Sequence, residues 1–221
     1  MSLTVACMQP YFFPSLSYYR LFTAADIVIF LDDVQFPRRG RVHRCEMPGP
    51  TGKKEWLTLP LAKAPQNARI QDIKLSENAE ALWASRVARF KLQDHLHFGV
   101  YKYQSLLTIL TYTLSYTQYL MRPKIEDCKF VYFRYSTWYA SYLSGQDRII
   151  RLCKRLGATS YINLPGGRSL YDSEAFDREG ISLKFLSPWK GEQWSILHEL
   201  KNKSLDDIRK EIQEQLILED A

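Results

Sequence analysis

The sequence predicts an α/β fold with a parallel sheet of Rossmann-like type, an inserted helical segment and a C-terminal helix. Three observations predict this class. Two apolar runs of strand length near the N-terminus flank a stretch with helical periodicity. Alternating helix and strand patterns return after residue 145, and the spacing from about 75 to 145 is mostly helical. The 221 residues and 46% hydrophobic composition suit a single domain over residues 1–221.

The first predicted unit lies at the N-terminus. Residues 3–8 form a short apolar run, and residues 16–25 repeat apolar side chains at helical spacing. A second apolar run over residues 27–31 ends at Asp32. Strand, helix and strand in this order form the βαβ unit of a parallel sheet. Because ligands bind beyond the carboxyl ends of such strands, we expect Gln9 and Asp32 to emerge at a binding site.

The middle of the chain predicts one strand and two helices. The alternation over residues 55–61, with proline nearby on both sides, fits a strand that enters or edges the sheet. Apolar residues over 76–90 line one helical face, and a second helical repeat follows over 103–114. We expect these helices to form a hairpin. Residues 123–142 fit either a strand or a helix, and the pattern does not choose between them.

The C-terminal part repeats the alternation of helix and strand. Residues 146–156 predict a helix that Gly157 ends, and a short strand follows around Tyr161. Asp172 can cap a short helix that precedes an alternating strand over residues 181–185. A serine followed three residues later by an aspartate then forms a capping box, which predicts the start of the last helix.

The composition argues against several classes of protein. The four cysteines lie far apart without a CxxC pair, so we expect neither a disulfide framework nor a zinc site. No run of eighteen apolar residues occurs and no signal-peptide pattern opens the sequence, which predicts a cytoplasmic protein without a membrane span. The net charge of +6 comes from 30 basic and 24 acidic residues, a mixed surface that favours an anionic partner only weakly.

Charged residues cluster after the second predicted strand, where four arginines follow a pair of aspartates. They are Asp32, Asp33, Arg38, Arg39, Arg41 and Arg44. Guanidinium groups recognise phosphate or carboxylate in a planar, bidentate geometry, which suits a nucleotide-sugar pyrophosphate or a small carboxylate. We expect the first two strands to bring an amide, an acid and several guanidinium groups into one hollow. A solvated loop is the alternative interpretation of the arginines.

Asp32 and Asp33 are the candidate catalytic residues. Adjacent side chains at a strand end point to opposite faces, so only one of them can face a given pocket. The other would cap a turn or pair with an arginine. An aspartate in a cleft could hold a divalent metal or act as a base toward an amine or hydroxyl group. No cofactor is firmly implied.

Two blocks of sequence resemble the WbqC-like family. Residues 8–14, Tyr18 and residues 32–39 resemble its N-terminal signature, whereas residues 156–172 resemble its C-terminal half. The resemblance covers residues 3–60 and 145–215 and is looser between them. It implies a bacterial protein encoded among genes for cell-surface polysaccharide and O-antigen assembly, and transfer of an aminoacyl group such as glycine to a sugar has been proposed for the family. The chain departs from the pattern at Ser17, where glycine is expected, and at His43, where asparagine is expected.

Taken with the charged cluster, the two blocks define the candidate substrate-binding residues. They are Gln9, Tyr11, Tyr18, Gln35, Arg38, Arg39, His43, Arg44, Gly166, Gly167 and Tyr171. The first βαβ unit is also distantly similar to nucleotidylyltransferases of the HxGH class. Residues 15–18 stand where those enzymes carry two histidines, so nucleotidyl transfer by that mechanism is not expected. Backbone amides at the helix start could still receive a phosphate.

Three functions compete at this stage. The leading hypothesis is a transferase of surface-polysaccharide biosynthesis that binds a nucleotide-linked sugar or an activated acyl donor. The alternative is a non-catalytic accessory protein that binds a nucleotide sugar or a glycan. Nucleic-acid binding ranks last, because the sequence has no RNP, helix-turn-helix or zinc signature and its arginines lie beside acids.

Overall fold

The computed structural model describes residues 2–92, 105–121, 143 and 145–221 as a mixed α/β fold with a mostly parallel central sheet. The strands are β1 (Thr4–Met8), β2 (Ile27–Phe30), β3 (Arg44–Pro48), β4 (Lys54–Thr58), β5 (Ser160–Asn163), β6 (Ser182–Leu186) and β7 (Leu218–Asp220). The helices are α1 (Leu16–Ala24), α2 (Ala79–Arg89), α3 (Leu106–Met121), α4 (Gly145–Leu156), α5 (Ser173–Asp177), α6 (Ile196–Asn202) and α7 (Leu205–Glu214). Two 3-10 helices span Ile70–Asp72 and Pro165–Leu170.

The central sheet has the strand order β2-β1-β5-β6-β7. The first four strands run parallel, and β7 closes the edge in the antiparallel direction. Helix α1 connects β1 to β2 on one side of β1, whereas β5 pairs with β1 on its other side. The order of the strands therefore reverses between β1 and β5. A crevice forms outside the carboxyl ends of the strands at such a reversal, because the loops leave in opposite directions.

Alternation along β1 directs its side chains to two different layers of the core. Cys7 packs in a cluster with Cys153 of α4 and Phe176 of α5 on one face of the sheet. Ala6 packs in a cluster with Leu21 of α1 on the other face. Neighbouring side chains of a strand point to opposite faces, so a strand covered on both sides is apolar throughout. This explains why β1 and β2 appear in the sequence as continuous apolar runs.

The hairpin of β3 and β4 lies apart from the central sheet and corrects one expectation. The strand predicted over residues 55–61 is β4, and it pairs with β3 in a separate two-stranded sheet instead of entering or edging the main one. Its Leu57 packs in a large apolar cluster with Phe12 of the β1–α1 loop and Trp83 of α2. The hairpin therefore packs against the loop that follows β1.

Helix boundaries follow the predicted caps. Gly157 ends α4 with a φ of +70°, a conformation that glycine adopts without a Cβ penalty. The Asp172 side chain accepts a hydrogen bond from the Glu174 amide at 3.1 Å, and Ser204 caps α7 in the same way. The predicted helices of the middle segment appear as α2 and α3, while residues 123–142 lie outside the described residues. Within the described ranges no helix is long and apolar enough to cross a bilayer.

Candidate functional site

A cavity of about 600 Å³ opens at the carboxyl ends of the parallel strands, where the strand order reverses. We call it the switch-point pocket. Ligand pockets in proteins commonly have volumes of roughly 300–1,000 Å³, so the space suits a small molecule. Its wall includes Met8, Gln9, Tyr11, Ser15, Ser17, Tyr18, Arg20, Arg41, Asn163, Gly166, Gly167, Leu170, Tyr171, Trp189 and Gln193.

The β1–α1 loop forms the first wall of the switch-point pocket. The Tyr18 hydroxyl donates a hydrogen bond to the Gln9 carbonyl at 2.7 Å and fixes the chain where it leaves β1. The Tyr11 ring stacks on Tyr18 with centroids 5.0 Å apart. The Gln9 side-chain amide makes no hydrogen bond to any described residue, and it can therefore donate to and accept from a ligand. Burial raises the pKa of Tyr11, and Arg41 opposes that shift.

The end of β5 and the following 3-10 helix form a second wall. The Asn163 amide nitrogen donates to the hydroxyls of Tyr161 and Tyr171 at 3.2 and 3.1 Å, while its oxygen accepts from the Leu164 amide at 2.7 Å. Burial raises the pKa of both tyrosines, so both remain protonated at neutral pH. Gly167 packs directly over this network, because a Cβ at its position would lie 2.9 Å from the Asn163 amide nitrogen.

Arg41 reaches the switch-point pocket from the segment before β3 and is held at both ends. Its carbonyl accepts a hydrogen bond from the Phe12 amide at 3.0 Å. Its guanidinium donates to Glu46 at 2.7 Å, and the other oxygen of that buried carboxylate lies 2.8 Å from Lys54. One acid shared between two cations leaves this edge of the pocket positively charged.

Arg20 lines the pocket from α1 and is fully buried. Its guanidinium donates to the carbonyls of Ser17, Ser187 and Gln215 at 3.4, 2.9 and 2.8 Å. The Trp189 ring lies 5.2 Å from the guanidinium carbon. Burial lowers the pKa of Arg20, yet a guanidinium stays charged at neutral pH. Nothing in the local sequence distinguishes this residue, and it was not among the candidates.

The two candidate catalytic aspartates do not line the switch-point pocket. Asp33 is buried and forms an ion pair with Arg148 of α4, with its Oδ1 at 2.6 Å from the guanidinium nitrogen. Asp32 is also buried, and its carbonyl accepts a hydrogen bond from the Gln71 amide at 2.9 Å. An ion pair between one aspartate and an arginine was one of the two arrangements that the sequence left open.

Five candidate binding residues lie outside the switch-point pocket. Arg38 and His43 line a separate cavity of about 270 Å³, in which the Arg38 guanidinium donates to the Ala64 carbonyl at 2.6 Å. Burial, and then the charges of Arg44 and Arg86, lower the pKa of His43 to about 4. Of the remaining three residues, two donate to nearby backbone carbonyl groups and the third supplies such a carbonyl. Gln35 donates to Gln66, and Arg44 donates to Gly40 and to the carbonyl of exposed Arg39.

Six candidates do come together in the switch-point pocket. They are Gln9, Tyr11, Tyr18, Gly166, Gly167 and Tyr171. Among the residues that the structure describes, no cluster of three or more His, Cys, Asp or Glu side chains could hold a metal ion. The pocket wall contains no carboxylate or imidazole from the described parts of the chain. The Cys7 thiol is its one strong nucleophile by type, but burial raises its pKa well above the usual range.

The arrangement defines an α/β protein with a ligand pocket at the reversal of strand order. Residues 9–199 match the WbqC-like protein family, so the chain belongs to that family. It is similar to an uncharacterized protein, Rv1507c, of Mycobacterium tuberculosis, with 26% identity over 187 residues that cover 80% of this chain and 79% of the relative. No solved structure matches the chain.

Proposed function

We propose that this chain binds the nucleotide-linked sugar donor of a transfer reaction in bacterial surface-polysaccharide biosynthesis, and that the donor lies in the switch-point pocket. The composition of the pocket wall carries the proposal. Aromatic rings, the unengaged side-chain amide of Gln9 and two arginines surround one cavity of about 600 Å³. Aromatic rings stack on bases and sugars, amides bond to hydroxyls as donors and acceptors, and guanidinium groups bind phosphates.

The position of the pocket supports the same proposal. In doubly wound sheets with this reversal of strand order, nucleotides bind in the crevice at the carboxyl ends of the strands. The order β2-β1-β5-β6 of the parallel strands is consistent with a Rossmann-like sheet. The first turn of α1 brings Ser15 and Ser17 to the pocket, and a helix start favours an anion through its exposed amides and dipole.

The wall suits stabilisation of a leaving group better than removal of a proton. In the proposed transfer, the bond between the anomeric carbon and the phosphate oxygen breaks, and its electron pair leaves with the nucleoside diphosphate. The acceptor heteroatom bonds to that carbon and releases its proton to solvent. Arg41 would stabilise the charge that develops on the diphosphate, and the protonated Tyr171 would donate a hydrogen bond. The Arg41 side chain is 43% exposed, so its attraction for the diphosphate would be weaker than that of a fully buried charge.

A second candidate function is a donor-binding accessory protein without catalysis. The specific observation in its favour is that no described carboxylate or imidazole lines the pocket, which leaves proton removal to solvent. Both candidates predict saturable binding of the donor. Only the transferase releases nucleoside diphosphate when an acceptor is added, so a coupled assay for that product separates them. Acyl-adenylates, in which an acyl group is joined to the phosphate of a nucleotide, are the second class of donor to be tested.

Calorimetric titration with uridine and thymidine diphosphate sugars tests the binding step. The matched variants are Arg41→Gln, which alters the pocket, and Arg39→Gln, which removes the same charge from an exposed side chain two positions away. We expect Arg41→Gln to weaken binding about ten- to a hundredfold, as for loss of a charged hydrogen bond. Arg39→Gln should bind like the wild type. Equal effects of the two substitutions, or no binding by any donor, would overturn the proposal.

The hydroxyl of Tyr171 offers a gentler second test. Tyr171→Phe keeps the ring that packs against Phe176 and removes only the oxygen at the pocket wall. Tyr116→Phe is the control, because Tyr116 is an exposed tyrosine of α3 outside the pocket. We expect the first variant to bind the donor more weakly than the wild type does, and the second to bind it with the affinity of the wild type.

A further inference from the structure

We propose that Arg20 is the main anion-binding residue of the switch-point pocket and that it holds the diphosphate of the donor beside Trp189. This inference rests on the proposed function for the identity of the anion. The Arg20 side chain joins α1 to the segment after β6 and to the end of α7. Of the charged cluster that follows the second strand, only Arg41 is among the described residues that line the same pocket.

The charge of Arg20 is not balanced within the described structure. The side chain is fully buried, its hydrogen bonds to described residues go to three neutral carbonyl groups, and no described carboxylate forms an ion pair with it. Buried charges in proteins are paired or bind an ion, because desolvation of a lone charge is costly. Asp33 and Arg148 show the usual solution in the same molecule. Because Arg20 lines the cavity and its guanidinium has no counter-charge among the described residues, the residue is suited to an anionic ligand.

The geometry leaves hydrogen-bonding capacity on the guanidinium. Arg20 has five N–H donors, and the carbonyls of Ser17, Ser187 and Gln215 engage one each at Nε, Nη2 and Nη1. One N–H on each terminal nitrogen remains. Two parallel donors of a planar fork match two oxygens of a phosphate. The carbonyl contacts also hold the group in place before a ligand arrives, which lowers the entropy cost of binding.

A diphosphate fits the charge of the pocket better than a monocarboxylate does. Two guanidinium groups, Arg20 and Arg41, line the cavity, and none of the described residues in its wall is acidic. Glu46 accepts from Arg41 but is shared with Lys54, so the wall keeps a net positive charge. Attraction grows with the charge of the ligand, and it is strong in a partly enclosed site. Trp189 covers the guanidinium at 5.2 Å and places an optical reporter beside the anion.

Titration with inorganic pyrophosphate tests the inference directly. In the wild type we expect a saturable change of tryptophan fluorescence and a rise of the melting temperature. Trp189→Phe should keep the rise and lose most of the fluorescence change. Arg20→Gln should weaken pyrophosphate binding about tenfold or more, as for a lost charged hydrogen bond. Arg151→Gln is the control for charge, because Arg151 is exposed on α4 and outside the pocket.

Arg20 also bonds to backbone carbonyls, so Arg20→Gln requires a check of folding by circular dichroism. Should that variant fail to fold, Arg20→Lys keeps the charge and loses the planar fork, and it should bind pyrophosphate with intermediate affinity. The comparison of the wild type with Trp189→Phe tests separately, without any Arg20 variant, whether the anion lies beside Trp189. Pyrophosphate binding that leaves the fluorescence of Trp189 unchanged, or no binding at all, overturns the inference.

The two proposals fail in different ways. Nucleotide-sugar binding that is undiminished in folded Arg20→Gln would overturn the role of Arg20 and leave the proposed function standing. Pyrophosphate binding that depends on Arg20, together with no binding of any nucleotide sugar, would overturn the proposed function and leave the anion site standing.

Discussion

Replacement of Asp33 by alanine should destabilise the protein strongly, because it removes the carboxylate from a buried ion pair with Arg148. The pair is close, at 2.6 Å, and the two side chains are only 2% and 9% exposed. Loss of one partner from a buried pair costs about 3–5 kcal/mol in unfolding free energy. For a chain of this length, each kcal/mol corresponds to roughly 2–4 °C, so the melting temperature should fall by about 6–20 °C.

Thermal unfolding followed by circular dichroism measures this loss, with Glu55→Ala as the matched control. Glu55 bonds to Arg89 through both oxygens at 2.8 and 2.9 Å, but these two side chains are 28% and 57% exposed. An exposed pair contributes about 0.2–1 kcal/mol, so the control should lose less than about 4 °C. The contrast isolates burial, since both pairs join an acid to an arginine at short distance.

A double variant separates loss of the ion pair from loss of packing. Asp33→Leu combined with Arg148→Met replaces both charged side chains with apolar ones that still fill the space. Such replacements of buried pairs are often neutral or stabilising. We expect this variant to recover most of the melting temperature lost by Asp33→Ala. If Asp33→Ala loses no more than Glu55→Ala, the reasoning that assigns Asp33 a structural role is wrong.

Three further outcomes follow from the site and the core. Gly167→Ala should weaken donor binding because its Cβ would press within 2.9 Å of the Asn163 amide, whereas Gly166→Ala, with nothing within 4 Å, should bind normally in calorimetry. His43 has a folded pKa of about 4 against about 6.5 when unfolded, so its contribution of about 3 kcal/mol is present above pH 6.5 and is lost as pH falls toward 4. Urea unfolding across this range should therefore show that the free energy of unfolding falls less with decreasing pH in His43→Asn than in the wild type. Buried thiols with raised pKa values should resist alkylation until the protein unfolds, as checked by mass spectrometry; they are Cys7, Cys45 and Cys153.

Elements of the central sheet could be predicted wherever local pattern and burial agree. β1 and β2 are apolar throughout because helices cover both faces, and Gly157 marks the end of α4. β3 was missed because its buried Cys45 and Met47 alternate with the charged Arg44 and Glu46, so the segment resembles a polar loop. Only tertiary contacts reveal that Glu46 is also buried, between Arg41 and Lys54. β7 was missed because its three residues are all exposed and only the first, Leu218, is apolar, so no alternation marks a strand.

The residues of the candidate site also differ in whether the sequence alone could place them. Gln9 could be placed near a pocket because it follows the end of a strand in the predicted parallel sheet, whereas Tyr171 was a candidate only through the resemblance to the family. The sequence could not show whether Asp33 faces a ligand or forms an ion pair, because its partner Arg148 lies 115 positions away along the chain. Arg20 gave no signal, since an arginine within a helix is usually a solvated side chain. Its burial depends on the carbonyl of Gln215, which is 195 positions away.

The contact between Arg20 and Gln215 has a consequence for comparisons among relatives. Gln215 lies beyond residue 199, where the match to the family ends. A homologue could keep every residue of the matched segment and yet carry a different tail, which would remove one of the three carbonyl contacts of its arginine. Such a protein would share the family signature but hold that guanidinium less firmly. Ligand preference within the family could therefore diverge through the tail while the signature remains unchanged.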